Sequence, residues 1–352
     1  MSIDFPELPV LKLSGSHRDI GLRLGAFGKP TIHRYLLKSH VWAQIHALKD
    51  HPFVADAREL VQKRFPEYWL ELEGIADGAE VPADDLFAWN CRGDLLATIP
   101  DGCTTVMIPG ETPVIAHNED GSAWLRGGCA IAEVEPAGRR PFKTFVYPGS
   151  IPGHTFSVND AGIAFTVNNI RSRAPGKGFP RMFLTRAILD CAVTDEVRRI
   201  LEDSPRFGAY HVSVGRVGSA DIFSMEFTHH RCSIKKITRP CVHSNHLIHE
   251  AMAEEPQIIT GSSQSRQDRG NELIQTAEGA LDPLVILHDG NHPVFPIFRR
   301  QPDDPDDENT LAGSVFELGQ SGIIWKVYSG NEGKLQFSGA LRFPGGFSFD
   351  EP

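Results

Sequence analysis

The sequence predicts an α+β fold in which antiparallel β-sheets pack together and helices cover them. Apolar residues recur at three- and four-residue steps through the first hundred residues, and short β-branched and aromatic runs separated by turn residues follow. Both patterns return towards the C-terminus. Runs of strands interrupted by runs of helices are typical of α+β architectures. The 352 residues, 41% of them hydrophobic, suffice for one large core or two modest ones.

The helical pattern occupies three stretches before residue 100 and two later ones. The period of the apolar residues is close to 3.6 in each, and Pro82 and Asp84 suit a helix start. The predicted helical stretches are 19–49, 53–79, 82–97, 179–203 and 263–280.

The strand pattern begins at the first threonines after Cys103. Turn clusters such as PGET, NDAG and VGSAD separate the runs, so many neighbouring pairs are predicted to be antiparallel hairpins. The C-terminal segment 314–339 is predicted to form further hairpin strands around GQSG and GNEG. The earlier predicted strands are 104–108, 114–118, 129–135, 142–149, 155–159, 163–169, 210–217, 221–227 and 232–237.

Charge and the apolar pattern exclude several classes of partner. The formal net charge is -10, which disfavours nucleic acid or an anionic membrane surface as the main partner. No apolar run is long enough for a spanning helix, and the N-terminus lacks a secretory pattern, so we expect a cytoplasmic protein. The six scattered cysteines are expected to be reduced thiols. The acidic segment 299–310 is predicted to be a solvated loop.

The segment DGCTTVMIPGETPVIAHNED, residues 101–120, is predicted to be a hairpin with PGET as its turn. If Ile108 pairs with Pro113, Cys103 lies opposite Asn118. Side chains alternate between the two faces of a strand, so Asp120 is then expected on the same face as Cys103. A slip of one residue reverses this assignment.

In this register His117 and Glu119 point away from Cys103, which leaves the thiol without a histidine. A nucleophilic Cys103 therefore needs another base. Cleavage of the Gly102–Cys103 bond would supply one, because the new α-amino group has a pKa near that of the thiol. Gly102 permits a strained backbone and close approach of the thiol to its carbonyl. A small buried cysteine at the start of a strand is the alternative.

Several motifs together resemble a known family, the self-processing acyltransferases and amidases that include the fungal acyl-coenzyme A:6-aminopenicillanic acid acyltransferase, within the N-terminal nucleophile hydrolases. The resemblance covers nearly the whole chain. The motifs that carry it, in the order of the family, are FPEYWLELEGIADGAEVPADDLFAWNCR, DGCTT, HNED, NDAGIAFTVNN, HSNH and SSQSRQDR.

This resemblance implies a four-layer αββα sandwich and a chain that cuts itself. Residues 1–102 would form a helical propeptide that stays bound as the small subunit, and residues 103–352 the catalytic subunit. The two fragments would form a heterodimer, with a higher oligomer as a further possibility. No cofactor or metal is implied. The substrate class would be a small-molecule amide cleaved through a thioester.

The resemblance also implies roles for particular residues. Cys103 would be the nucleophile and, through its α-amine, the base, and Asp120 would orient and charge that amine. Asn245 would donate to the oxyanion of the tetrahedral intermediate, which an amide N–H can do without losing a proton. Further candidates for substrate or oxyanion contacts are Asn118, Asn168 and Thr104.

One departure from the family concerns the substrate. Relatives commonly carry an arginine just before the strand that corresponds to TLAGSVFE, whereas here Asp307 falls near that place. An acidic rim would favour a cationic or amine-bearing substrate such as an aminoacyl amine. The missing arginine and the lack of a basic nucleotide pocket favour hydrolysis over acyl transfer to an amine, but the sequence leaves both open.

Two further readings compete with the enzyme. The first is a zinc site, although the spacing of its ligands is not typical of zinc proteins. The second is a non-catalytic binding protein that keeps the fold and has lost turnover. The candidate zinc ligands are Cys232, Cys241, His243, His246 and His249.

Overall fold

The structure is a computed structural model of the continuous chain, and it describes residues 7–98, 102–330, 332–342 and 346–350. The first six residues, which entered the expectation of a cytoplasmic protein, and residues 99–101, which precede the predicted cleavage site, lie outside the described part. The helices are α1 (His17–Arg34), α2 (His40–Ala47), α3 (Pro52–Arg64), α4 (Pro66–Ala79), α5 (Ala83–Asn90), α6 (Arg92–Leu95), α7 (Arg181–Ile188), α8 (Thr194–Asp203), α9 (Gly261–Thr276) and α10 (Pro283–Leu287).

The strands form two sheets. The eight-stranded sheet has the order β1-β4-β5-β6-β7-β8-β9-β10, and the seven-stranded sheet the order β11-β2-β3-β12-β13-β14-β15. The strands are β1 (Val10–Gly15), β2 (Cys103–Ile108), β3 (Val114–Gly121), β4 (Ala130–Pro136), β5 (Phe142–Val146), β6 (Ser157–Asn159), β7 (Ile163–Asn169), β8 (Tyr210–Arg216), β9 (Ile222–Phe227), β10 (Cys232–Lys236), β11 (Cys241–His243), β12 (Asn309–Leu318), β13 (Gly322–Ser329), β14 (Lys334–Arg342) and β15 (Gly346–Asp350).

Three hydrophobic clusters separate four layers. One joins the helices α1–α5, α7 and α8 to the eight-stranded sheet, a second fills the space between the two sheets, and a third joins the seven-stranded sheet to α9 and α10. The predicted α+β fold and its four-layer αββα arrangement are confirmed. No helix in the described part of the chain is both long and apolar enough to cross a bilayer.

The helical layer is held by unusually close packing of α1 on α4. A Cβ atom added at Gly21 would lie 2.0 Å from the carbonyl oxygen of Glu71, and one added at Gly25 would lie 2.1 Å from that of Ile75. Glycine at these positions lets the two backbones approach, while Ser16 closes the start of α1 with a capping box. The predicted helices therefore form, and they pack as a tight pair.

The sequence patterns missed four elements: β1, β11, α10 and β15. β1 pairs in parallel with β4, so one edge of the eight-stranded sheet departs from the predicted antiparallel pairing. Only one residue of β1 is buried, which removes the alternating pattern that marks a strand. β11 has only three residues. Because β1 belongs to the predicted propeptide, residues 1–102 contribute a strand as well as helices.

Candidate active site

The β2–β3 hairpin carries Cys103, and its register differs from the predicted one. Cys103 lies opposite Glu119, and Ile108 lies opposite Val114. The predicted pairing of Ile108 with Pro113 was wrong by one residue. Pro113 has no N–H and cannot donate to the ladder, so it belongs to the turn.

The shifted register places a histidine and a carboxylate beside the thiol. Cys103 Sγ donates to Glu119 Oε2 at 3.6 Å, and the same oxygen lies 3.0 Å from His117 Nε2. Tyr147 donates its hydroxyl proton to Glu119 Oε1 at 2.8 Å. All these side chains are buried between the two sheets, and Cys103 is only 2% exposed. The expectation that Cys103 has no histidine on its face was therefore wrong.

Candidate Asn168 reaches the same inter-sheet space from β7. Its Oδ1 accepts from the Thr105 hydroxyl at 2.7 Å and contacts His211 Nδ1 at 3.0 Å. Thr105 Oγ1 in turn lies 2.8 Å from His117 Nδ1. Asn168 is thus linked to Cys103 through three side chains rather than by direct contact.

Candidates Thr104 and Asn118 face the other way, towards α9 and α10. Asn118 Nδ2 donates to the carbonyl oxygen of Leu287 in α10 at 2.6 Å, and Thr104 Oγ1 accepts from Arg266 Nη1 at 2.9 Å. The structure therefore does not bring Asn118 to the thiol, contrary to the predicted register. These two side chains anchor the outer helices to the sheet.

The Gly102–Cys103 peptide bond is held from both sides. The backbone N–H of Asp120 donates to the Gly102 carbonyl oxygen at 2.8 Å, and the Cys103 N–H donates to Asn245 Oδ1 at 2.9 Å. A Cβ atom added at Gly102 would lie 2.5 Å from Glu308 Oε2, so a larger residue does not fit without a shift. These contacts fix the Gly102–Cys103 peptide bond on both sides.

Asp120 lies beside this bond, and only one of its two carboxylate oxygens accepts a hydrogen bond from the described residues. Its Oδ1 accepts from the Thr310 hydroxyl at 2.7 Å, whereas Oδ2 is buried and has no hydrogen-bond partner among the described residues. A Cβ atom at Gly102 would lie 3.3 Å from Oδ2. Burial raises the pKa of Asp120, while Arg266 and Arg299 act to lower it.

Asn245 and Arg266 complete the enclosure of Cys103. Asn245 Oδ1 also accepts from Arg266 Nη2 at 2.6 Å, and its Nδ2 donates to the Asn169 carbonyl oxygen at 3.0 Å. Arg266 Nη1 donates to the Cys103 carbonyl oxygen. In the continuous chain the amide of Asn245 thus presents its oxygen to Cys103, and its role as an oxyanion donor stays a prediction.

An arginine also reaches the place where the sequence showed none. Arg299 is fully buried and forms ion pairs with Asp304, Asp306 and Glu308. Two of these acids, Asp304 and Glu308, are buried with it, with side chains 4% and 2% exposed. The prediction of a solvated acidic loop therefore holds for Asp303 and Asp307, which are exposed, but not for Asp304 and Glu308, because Arg299 begins the same segment and pairs with their carboxylates. Asp307 is exposed, and its backbone has the left-handed conformation, with φ of 56°.

The structure separates the candidate zinc ligands. Cys232 lies on β10 and Cys241 on β11, which belong to different sheets. Each histidine has another partner: His243 contacts Glu226, His246 contacts Ser263, and His249 contacts Ser224 and Ser233.

In the described part of the chain, the one cluster with metal-like donors is Cys103, His117 and Glu119, whose ligand atoms lie within 4.8 Å of one another. The distance of 3.0 Å between His117 Nε2 and Glu119 Oε2 is that of a direct hydrogen bond. We interpret the three side chains as a hydrogen-bonded cluster.

Comparison with known proteins identifies the family. Residues 107–334 match the family described as acyl-coenzyme A:6-aminopenicillanic acid acyl-transferase, which is more than half of the chain. The chain belongs to this family. It is therefore an enzyme of the acyl-coenzyme A:6-aminopenicillanic acid acyl-transferase family, within the N-terminal nucleophile hydrolases.

Two relatives illustrate the chemistry of this family. A beta-alanyl-dopamine/carcinine hydrolase of Drosophila melanogaster is 25% identical over 378 residues, covering 94% of each chain. The acyl-coenzyme A:6-aminopenicillanic-acid-acyltransferase 40 kDa form of Emericella nidulans is 24% identical over 277 residues, covering 74% of this chain and 75% of its own. The family thus contains both a hydrolase and an acyltransferase.

Similar solved structures are more distant. A conjugated bile acid hydrolase from Clostridium perfringens has 10% identity and a TM-score of 0.45, covering 71% of this chain and 97% of its own. Penicillin V acylase from Agrobacterium tumefaciens has 15% identity and a TM-score of 0.39, covering 67% and 85%.

Sequence reasoning missed Glu119, His117, Arg266 and Arg299. The first two were assigned to the wrong face by the register. Arg266 lies in the quoted motif SSQSRQDR, in the second turn of α9, whose start is capped by the side chain of Thr260, and this motif was the available signal. Nothing in the sequence near Arg299 indicates that it contacts the segment that follows it.

Proposed function

We propose that the chain cuts itself between Gly102 and Cys103 and then acts as a cysteine amidohydrolase. The observation that carries this proposal is the Gly102–Cys103 bond itself. Its carbonyl oxygen accepts from the Asp120 N–H, its nitrogen donates to Asn245, and the unpartnered Asp120 Oδ2 lies beside it. An N–H aimed at a carbonyl oxygen stabilises the negative charge that develops there during attack.

The cut would convert a structural amide into a catalytic amine. The Cys103 nitrogen becomes a primary amine with an ordinary pKa of roughly 7.7 to 8.0, suited to take the thiol proton near neutral pH. Asp120 Oδ2 then gains an ammonium partner after each proton transfer. Cys103 Sγ attacks the substrate carbonyl, the amine product leaves, and water releases the acid from the thioester.

We propose residues 1–102 as the retained small subunit. Its strand β1 pairs along its whole length with β4, and its helices pack on the eight-stranded sheet. A segment with such contacts stays bound after one peptide bond is broken, since the buried surface is unchanged. The product is a heterodimer of fragments of about 11 and 28 kDa, in proportion to 102 and 250 of the 352 residues of a 38.8 kDa chain.

For the substrate we propose a small linear amide whose acyl part carries an amine, such as a β-alanyl amide. The support is the hydrolase of β-alanyl-dopamine and carcinine, which aligns along almost the whole chain. The acidic rim expected at Asp307 no longer supports this choice, because Arg299 neutralises its neighbours. Acyl transfer to an amine is the second candidate, supported by the acyltransferase relative.

A substrate panel tests the activity. The purified chain is assayed for release of free amine from β-alanyl-dopamine, carcinine and phenoxyacetyl amides, with the Cys103→Ala chain as control. We expect release of amine from the β-alanyl compounds and none with the variant. Added amines as competing acceptors divide the two candidates: hydrolysis predicts only free acid as product, and acyl transfer predicts the new amide. A correctly cut chain that turns over no amide contradicts the proposed activity.

A further inference from the structure

A chain of hydrogen bonds with a single direction leads inward from the thiol of Cys103. Thr105 donates its hydroxyl proton to Asn168 Oδ1, and Asn168 is oriented by its Nδ2, which donates to the carbonyl oxygen of His243 at 3.2 Å. A hydroxyl has one proton to donate. The 2.8 Å contact between His117 Nδ1 and Thr105 Oγ1 must therefore be donated by the imidazole.

The other imidazole nitrogen of His117 is left as an acceptor. Burial lowers the pKa of His117 to about 3, which keeps the ring neutral, so the lone pair of Nε2 faces Glu119 Oε2 at 3.0 Å. With a neutral ring, a hydrogen bond between these two atoms requires a proton on the Glu119 carboxyl group. Tyr147 donates to the other oxygen of Glu119, and Cys103 Sγ donates to Oε2. The thiol of Cys103 thus donates to Glu119 Oε2, and the carboxyl proton of Glu119 is donated to His117 Nε2.

We propose that Glu119 and His117 form the proton relay that deprotonates the Cys103 thiol in the uncut chain. Before the cut the Cys103 nitrogen is an amide, which is not basic, so the α-amine that serves the mature enzyme cannot start the first reaction. The role of this relay presupposes the proposed self-cleavage. It assigns to this step a carboxyl group that contacts Sγ, whereas the Asp120 carboxylate accepts from Thr310.

The step balances in protons and bonds. The thiol proton passes to Glu119 Oε2 as the proton of Glu119 passes to His117 Nε2, and Sγ forms a bond to the Gly102 carbonyl carbon. The bond from that carbon to the Cys103 nitrogen breaks, and the relay returns its proton to the leaving nitrogen. Water then cleaves the thioester, giving the Gly102 carboxylate, the free thiol and the α-amine.

The relay acts during self-cleavage and the α-amine during turnover by the cut enzyme. A substitution in the relay should therefore affect self-cleavage more than turnover. Glu119→Gln keeps the size of the side chain but cannot take the thiol proton. We expect its self-cleavage at pH 7 to be about tenfold or more slower, short of the full contribution of a base whose pKa lies near the working pH, because the pKa of His117 is low. Once cut, the variant has its α-amine to take the thiol proton, so we expect turnover of the amide substrate to fall by a smaller factor than self-cleavage does.

A matched control exists in the same fold. Glu226 is likewise buried and hydrogen-bonded to a histidine, with 2.8 Å between Glu226 Oε1 and His243 Nε2. Glu226→Gln removes a carboxylate from a similar pair that does not touch Cys103. We expect its self-cleavage rate to fall by a smaller factor than that of Glu119→Gln, since Glu226 is bonded to His243 and to the backbone N–H groups of Ile248 and His249.

The experiment follows the intact mass of the full-length chains with time at pH 7 and at about pH 9.5, above the ordinary thiol pKa of roughly 8.5. Slow cleavage of Glu119→Gln at pH 7, recovered at the higher pH and at the same bond, supports the relay and shows that the variant is folded. His117→Gln, which leaves the carboxylate in place, should lose about tenfold or more and recover likewise.

The outcomes that overturn the relay differ from those that overturn self-cleavage. Equal rates for the unaltered and Glu119→Gln chains, equal losses in Glu119→Gln and Glu226→Gln, or no recovery at high pH in a cooperatively folded variant each contradict it. An unaltered chain that never cuts itself contradicts the proposed function instead.

Discussion

The two faces of the β2–β3 hairpin differ in what they offer to Cys103. The inner face, between the sheets, carries Glu119 and His117 and contacts the sulfur. The outer face, towards α9, carries Asp120 and, with Arg266, contacts the backbone on either side of the bond before Cys103.

This difference follows from the alternation of side chains along a strand. Cys103 is the first residue of its strand. Its thiol points to the inner face, whereas its backbone groups are reached by residues of α9 on the other side of the sheet. Groups that move the thiol proton and groups that hold the peptide bond are therefore supplied by separate layers. Substitutions on the two faces should have separable effects, and the following predictions run from the largest expected effect to the smallest.

Asp120→Asn tests the outer face in the mature enzyme. The amide has nearly the same shape but cannot balance the charge of the Cys103 ammonium, so we expect kcat/KM for the amide substrate to fall about 10²- to 10³-fold. The measurement is steady-state release of amine from the cut variant. The control is Asp303→Asn in the exposed part of the acidic segment. Full activity of Asp120→Asn would contradict the role proposed for Asp120 in turnover, but it would not contradict the proposal that the chain cuts itself.

Arg266→Lys tests the clamp around Cys103. The guanidinium contacts the Cys103 carbonyl, Thr104 and Asn245 at once, and an ammonium group cannot reproduce that fork. We expect both self-cleavage and turnover to fall about a hundredfold. Arg269→Lys, three residues further along α9 and paired with Asp289, should change both by less than about twofold. Similar losses in the two variants would indicate a general effect on the helix.

Gly102→Ala tests the space at the scissile bond. The added methyl group meets the buried carboxylate of Glu308, which Arg299 holds in place. Overpacking of this kind costs about 1.4 kcal/mol or more, so we expect self-cleavage to slow about tenfold. At Gly110, in the turn of the same hairpin, an added methyl meets nothing within 4 Å, and Gly110→Ala should cut at the normal rate. A normal rate in Gly102→Ala would show that self-cleavage does not depend on the close packing of Glu308 against Gly102.

Acid should destabilise the folded chain through its buried histidines, of which His117 lies on the inner face. Burial lowers the pKa of His117 and His154 to about 3 and that of His246 and His249 to about 4. Their folded pKa lies below the unfolded value of roughly 6.5, so the unfolded chain binds more protons and stability falls as the pH drops below 6.5. At pH 5.5 each histidine should lower the free energy of unfolding by about 1.4 kcal/mol.

Urea unfolding of the Cys103→Ala chain at pH 7.5 and 5.5 measures this loss. His117→Gln in the same background should reduce the difference between the two pH values by about 1.4 kcal/mol. An unchanged difference would mean that His117 is protonated in the folded chain, and the relay would then have no neutral acceptor.

Much of the fold followed from the sequence because periodicity reports burial. The helical stretches and nine strand runs before residue 240 were found where an amphipathic pattern exists. β1 escaped because it is an exposed edge strand, and β11 because three residues show no period. The site was harder, since one proline in the turn decides the register. Pro113 moved every predicted partner of Cys103 to the other face.

Contacts between residues far apart in the chain could not be predicted from the sequence. Arg299 lies 179 residues after Asp120 in the chain, yet it shares Thr310 with it, because Thr310 Oγ1 accepts from the Arg299 N–H and donates to Asp120. A resemblance of motifs named Cys103, Asp120 and Asn245, which the structure does place around one peptide bond. It could not name Glu119, because only the three-dimensional pairing brings that carboxylate to the sulfur.

Intact-mass spectrometry of the purified full-length chain tests self-cleavage most directly. We predict two species of about 11 and 28 kDa, the larger beginning at Cys103, and a single species of 38.8 kDa for Cys103→Ala. An unaltered chain that remains at 38.8 kDa after long incubation, indistinguishable from Cys103→Ala, would contradict the central claim.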